Sequence, residues 1–167
     1  MSEAVKITQS RIKFVGIFDL GDFYRLLYDI IKSLGYTNII ETKYTHKTNP
    51  AGDKIELEWN CFKKVDDYSQ FHLFARALIT DLQKVQVKVD DVTTTKHKGD
   101  AELELVCNIV TDYENRWETN PISKFLKGIY DIYFYKSTFD TWVTKITSEM
   151  HTVENEMKAF FRMERFM

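Results

Sequence analysis

Four histidines, two cysteines and two pairs of adjacent aspartates are the residues of this sequence best suited to hold a metal ion or move a proton. A structural zinc site draws its His and Cys ligands from pairs only a few residues apart, so that one hairpin or helical turn brings both to the ion. His46, His72, His97 and His151 show no such spacing with one another, with Cys61 and Cys107, or with acidic residues. His72 is expected on the outer face of a strand and His97 in a loop, where a histidine is solvated. Cys61 and Cys107 alternate with apolar residues, the pattern of buried structural thiols rather than nucleophiles. Asp66–Asp67 and Asp90–Asp91 fall where turns are expected, and turn chemistry accounts for them. Gly99 stands in no phosphate-cradling loop, and neither a G-x-S-x-G nor a Walker pattern occurs. The sequence therefore nominates no catalytic residue, no metal site and no cofactor.

Chemistry of contact is better represented. Aromatic residues make up 14% of the chain, with 3 Trp, 9 Tyr and 12 Phe, enough for a large core, an interface or a ligand cavity. A formal charge of −2 with no basic stripe argues against a nucleic-acid partner, because phosphate contacts need a cationic surplus. "MSEAVKITQS" lacks the basic start and apolar run of a signal peptide, and no stretch approaches the ~18 apolar residues of a spanning helix. Two cysteines do not make a disulfide framework, so the expected location is cytoplasmic.

The elements that must position these rings follow from periodicity. One domain is expected over residues 1–167, with 1–10 a flexible N-terminus, 11–112 a strand, a helix and an antiparallel sheet, and 120–163 a long C-terminal helix. "RIKFVGIF" reads as the first strand. In "DLGDFYRLLYDIIKSLGY", Phe23, Leu26, Leu27, Ile30, Ile31 and Leu34 form one helical stripe, with Asp19 as cap and Gly35 at the stop. From Thr37 to Asp112 the period changes to two. Ile55, Leu57, Trp59 and Cys61 share one face, as do Phe71, Leu73, Ala75, Ala77 and Ile79, and again Ala101, Leu103, Leu105, Cys107 and Ile109. "KVQVKV" is expected as a separate strand, and "DDVTTTKHKGD" as a polar loop.

Register can be read from the outer faces, since a slip of one residue inverts every side chain. A turn centred on Asp67 sets Glu58 opposite Arg76, with Trp59 facing Ala75 and Leu57 facing Ala77. By the same rule, Val87 opposite Leu103 sets Lys88 against Glu102. The sheet is then apolar on one face only, and helices must cover that face.

Asn120 and Pro121 begin a helix of roughly 40 residues, ~60 Å long. Ile122, Phe125, Ile129, Ile132, Phe139, Val143, Ile146, Met150, Val153, Met157 and Phe160 form a seam broken at Lys136. Acidic flanks at Asp140, Glu149, Glu154 and Glu156 disfavour a parallel coiled coil, so packing across the sheet is expected. Strands of about ten residues reach only ~33 Å, which requires a bend near Tyr135–Thr138 or a projecting end.

Two sets of contact residues follow. Trp59, Phe125, Tyr133 and Trp142 are candidates to line a cavity between helix and sheet. Phe62, Phe74, Leu78, Val106 and Val110 interrupt the polar outer face of the sheet, and with Phe161 and Phe166 of the tail they are interface candidates. The tail "KAFFRMERFM" is amphipathic, but ten residues bind a membrane surface weakly, so docking on its own core or on a neighbour is expected.

The order strand, helix, antiparallel meander and long C-terminal helix is similar to the helix-grip layout of START-like and polyketide-cyclase-like proteins. The resemblance is topological and covers most of the chain. It implies a hydrophobic ligand gripped between the sheet and the last helix, although this sequence has one helix after its first strand where that layout usually has two. "KKVDDY" and "RWETNPISKFLKGIYDIY" resemble strings in small uncharacterised archaeal proteins, which implies no activity. The expectation is an α+β protein that works through contact, as a subunit of a homo-oligomer or larger assembly. The alternative is a carrier for a lipid or other hydrophobic molecule.

Overall fold

Strand alternation decides which side of the sheet is covered, and the computed structural model shows the result for residues 3–89, 91–114, 121–130, 133 and 135–166. The fold is α+β. Strand β1 (Glu3–Phe18) leads into helix α1 (Leu20–Ser33), followed by β2 (Asn38–Lys47), β3 (Asp53–Lys64), β4 (Ser69–Val89) and β5 (Val92–Thr111), then helices α2 (Pro121–Tyr130) and α3 (Lys136–Phe166). The five strands form one antiparallel sheet in the order β1-β5-β4-β3-β2. Residues 3–10, expected as a flexible lead-in, are the first half of β1 and pair with the end of β5.

The β3–β4 hairpin has the register that its charges imply: Glu58 pairs with Arg76, Trp59 with Ala75 and Leu57 with Ala77. Asp66 makes its turn, accepting at Oδ1 from the backbone N–H of Tyr68 (2.8 Å) and of Ser69 (2.5 Å). The β4–β5 pairing differs from the expectation. Leu103 pairs with Ala77 rather than Val87, and Lys88 lies opposite Thr93 rather than Glu102. "KVQVKV" continues β4, and "VTTTKHKGD" is the start of β5 rather than a loop. Threonines favour strands, but this ribbon lacks the apolar alternation that marks a core strand. β4 passes into the ribbon through an irregularity between Thr80 and Gln83, with Asp81 at φ 53°. Its backbone there presses on Gly52 and Gly99, where a Cβ would come within 2.6 Å of Asp81 C and 2.9 Å of Thr80 O respectively. Only glycine permits both approaches.

All the inner-face residues of β3, β4 and β5 named from the sequence are buried. Helix α1 covers one part of this face with Phe23, Leu27, Ile30 and Ile31, and starts where Asp19 Oδ1 accepts from the Asp22 N–H (2.9 Å). Helix α3 covers the rest, packing on β1 and β5 and against α1. Ile146, Met150, Val153, Met157 and Phe160 are buried, and Phe139 and Val143 pack at the margin of the core. The expected seam thus holds from Phe139 onward. α2 ends at Tyr130 and α3 begins at Lys136, the residue that breaks the seam, and between them Tyr133 and Tyr135 have π-helical backbone. Ile132 lies outside the described residues.

One polar junction ties three elements together inside this apolar layer. Lys63 Nζ on β3 donates to Glu149 Oε1 on α3 and to the carbonyl of Leu34 that ends α1, each at 2.6 Å. Its ammonium also lies 5.6 Å from the centre of the Tyr36 ring and 5.9 Å from that of Phe71. Burial, and then the Glu149 carboxylate, push the Tyr36 phenol well above its ordinary pKa. The Lys63 and Glu149 side chains are 16% and 11% exposed, so removing one would strand the other away from water. Glu149→Ala should lower the stability measured by urea unfolding by about 3 kcal/mol. The double replacement Lys63→Met, Glu149→Met should recover most of that loss. An additive double mutant would show that the two groups are not coupled.

Candidate functional site

The outer face of the sheet carries a row of alternating charge. Lys43, Glu58, Arg76, Glu104 and Arg11 are successive cross-strand neighbours from β2 to β1. Arg76 Nη2 reaches Glu56 at 2.5 Å and Arg11 Nη2 reaches Glu104 at 3.2 Å, while Lys43 Nζ lies 3.0 Å from Glu56. Hydrogen bonds from Arg76 and Lys43 hold the Glu56 carboxyl down to about 2. Of the interface candidates, Phe62, Phe74, Val106 and Val110 lie to one side of this row and Leu78 to the other. All five are half-buried. His72 stacks on Phe62 with centroids 4.7 Å apart and bonds to Asn60 Oδ1 at 2.7 Å; its burial lowers its pKa. A sheet face of this kind, filled in by its own neighbours, suits contact with water.

Phe161 is corrected from interface to core. It is 4% exposed and stacks on Phe14 with centroids 4.5 Å apart, beside Phe18 and Phe23. Lys96 and Glu164, paired at 2.5 Å, hold the same end of α3 to β5. The sequence marks Phe160 as the seam residue, but where α3 meets both β1 and α1 the buried stripe widens to take its neighbour. The side chain of Phe166 lies outside the described residues.

The four cavity candidates are not brought together. Trp59 is buried beneath Tyr24 and Tyr28 of α1 and donates from Nε1 to Glu41 Oε2 (2.9 Å). Trp142 packs edge-on to Phe71 and donates to Asp66 Oδ2 (2.8 Å), which clamps α3 to the β3–β4 turn. Phe125 and Tyr133 are 69% and 77% exposed. The layer between α3 and the sheet, where the cavity was expected, is filled by Met150, Val153, Met157 and Phe160.

Two features remain that a folded core does not explain. Helix α2 turns an apolar face to solvent: Ile122 is 71% exposed and Leu126 48%, with Phe125 between them and Ile129 one turn on. Spacings of three and four residues put these side chains on one stripe. The helix is held by Lys127, whose Nζ lies 3.8 Å from the buried Asp112 carboxylate.

The second feature is a groove of about 470 Å³ between α1 and β2. Leu20, Ile55 and Leu57 supply apolar lining, and Tyr24, Glu41, Tyr44 and His97 supply polar groups. At Leu20, Ile55 and His97 it joins a second cleft of about 360 Å³ lined by His46 and Asp53, which bond at 2.8 Å. Sequence reasoning missed this site because β2 changes parity. A bulge between Glu41 and Lys43 puts Glu41 opposite Trp59 but Tyr44 opposite Leu57 and His46 opposite Ile55, all on the inner face. His97, expected in a loop, is on β5 with its Nδ1 buried and, among the described residues, without a hydrogen-bond partner.

No protein-family model matches this sequence, and no curated protein matches it. Among the described residues, no helix is long and apolar enough to cross a membrane.

Two chemical properties can be checked directly. Burial pushes both the Cys61 and Cys107 thiols up to about 12, so neither should react with a thiol reagent at pH 8 until the chain is unfolded. Rapid labelling of either in the native state would show that its strand opens. The depressed Glu56 contributes stability above the ordinary carboxylate value of 4.5 and loses it as pH falls through about 2. The gap in stability between the native chain and Glu56→Gln should therefore close over that window. A gap unchanged at pH 2 would contradict the pairing.

Proposed function

We propose that the protein works through contact, as a subunit of a homo-oligomer in which α2 of one copy packs on α2 of another. The exposed apolar stripe of α2 carries this reading. On α2, Ile122, Phe125, Leu126, Ile129 and Tyr130 together leave roughly 500 Å² in water, a large share of the ~800 Å² per partner of a standard interface. A stripe of this size is costly to leave wet in a free monomer. The sequence of α2 contains no acidic residue, and Lys127 is already paired with Asp112. Two copies can then meet across a two-fold axis, each stripe covering the other, without like charges at the centre. A membrane surface fits less well, since α2 carries only two lysines and one of them, Lys127, is paired with Asp112.

The edges of the sheet support the same choice. Both edge strands, β1 and β2, carry a bulge, between Lys6 and Thr8 and between Glu41 and Lys43. Bulges and edge lysines discourage strand-to-strand joining, which leaves the helix as the better contact. The carrier reading, with a ligand between sheet and C-terminal helix, has little support where that layer is filled.

Sedimentation velocity of the full chain should show an oligomer at micromolar concentration. Ile122→Asp with Phe125→Asp should shift it to monomer with unchanged unfolding behaviour, because both side chains are already exposed. A native chain that stays monomeric at hundreds of micromolar, or an oligomer indifferent to these changes, would overturn the proposal. So would chain that partitions onto vesicles through α2 instead of pairing.

A further inference from the structure

Strand β2 presents Glu41, Tyr44 and His46 on the face where β3, β4 and β5 present buried apolar residues. Packing alone does not call for a carboxylate, a phenol and an imidazole beside the core, since an inner strand face is ordinarily apolar. Glu41 and Tyr44 instead wall the groove between α1 and β2, over Leu20, Ile55 and Leu57, and His46 lines the adjoining cleft. Its volume of about 470 Å³ falls within the range of roughly 300–1,000 Å³ typical of small-molecule sites.

The electrostatics of the groove are one-signed. Glu41 is the anion in its lining, which among the described residues holds no lysine or arginine, while Asp53 and Lys84 line the adjoining cleft. Oε2 of Glu41 accepts from Trp59 Nε1 at 2.9 Å and from the Tyr24 hydroxyl at 3.0 Å, which fixes the carboxylate in place. Both bonds fall on the one oxygen, Oε2. Tyr24 and Tyr44, 38% and 55% exposed, flank the carboxylate with aromatic rings, which attract cations. The buried Nδ1 of His97, without a hydrogen-bond partner among the described residues, offers a further polar group at the apolar end. A fixed carboxylate, two phenol rings and an aliphatic floor are the parts that recognise an organic cation.

We infer that this groove binds a small molecule carrying a protonated amine on a flat apolar body. The ammonium meets Glu41 Oε1 between Tyr24 and Tyr44, and the body lies on Leu20 and Leu57. The site is independent of α2, so each proposal stands or fails without the other.

Tyramine is a suitable probe for the ¹⁵N-labelled full-length protein. Its titration should shift the indole N–H resonance of Trp59 and the amides of Gly21, Tyr24 and Tyr44, saturably and with a Kd below about 1 mM. 3-(4-Hydroxyphenyl)propionate, the same ring bearing a carboxylate, should bind at least about tenfold more weakly. Glu41→Gln keeps an acceptor for the Trp59 N–H and should weaken tyramine by about tenfold while leaving 4-ethylphenol, the uncharged analogue, unchanged. Tyr44→Ala, at an exposed position, should weaken tyramine without loss of fold. The inference is overturned if tyramine gives no saturable shift at these residues, if the carboxylate binds equally well, or if Glu41→Gln binds tyramine as the native chain does.

Discussion

A sheet that is apolar on one face and charged on the other must be covered on one side only, and the rest of this molecule follows from that requirement. The five strands put Leu57, Trp59, Leu73, Ile79, Leu103 and Leu105 on a single surface. Burial of that surface is the main favourable term in folding, at roughly 25 cal/mol per Å². α1 and α3 divide the work, and their junction is the place where Lys63 joins Glu149 to the end of α1. The ion pair adds little net attraction beyond its desolvation cost, but it fixes how the two helices and β3 sit together.

The same requirement sets the length of the cover. A helix of 31 residues spans about 46 Å, and its buried residues from Ile146 to Phe161 pack on β1, β5 and α1. Upstream of it, α2 carries an apolar stripe that no part of the described chain buries. Surplus apolar surface is the feature that separates this protein from a sheet and two helices folded for stability alone. It is what an assembly subunit needs. The groove beside α1 arises differently. α1 covers β3 but leaves the inner face of β2 open, and there the strand carries polar and aromatic groups instead of aliphatic ones.

Much of the fold is legible because the pattern of the core repeats in several elements. Asp19 and Gly35 bound α1 as capping chemistry requires, and the opposite charges of Glu58 and Arg76 give the β3–β4 register. The β4–β5 ribbon is not legible, because Thr93, Thr94 and Thr95 carry strand propensity without an apolar face to reveal pairing. Lys88 and Glu102 suggest a partnership by charge, yet hairpin closure at Val89 and Val92 overrides it. The groove is hidden for a sharper reason: one inserted residue near Thr42 changes which side Tyr44 and His46 face, and alternation alone cannot show a bulge. Phe125 and Tyr133 were expected beside Trp59 because one continuous helix would have carried them over the sheet. Both are instead exposed, upstream of the part of the helix that covers the sheet.

The central claim is that the α2 stripe is covered by another copy of the chain. Hydrogen–deuterium exchange measured across a hundredfold range of protein concentration tests it at the residues concerned. The account predicts that amides of 121–130 become more protected as concentration rises, while those of β3, β4 and β5 stay constant. Protection of 121–130 that does not change with concentration, in a chain otherwise folded, would contradict it.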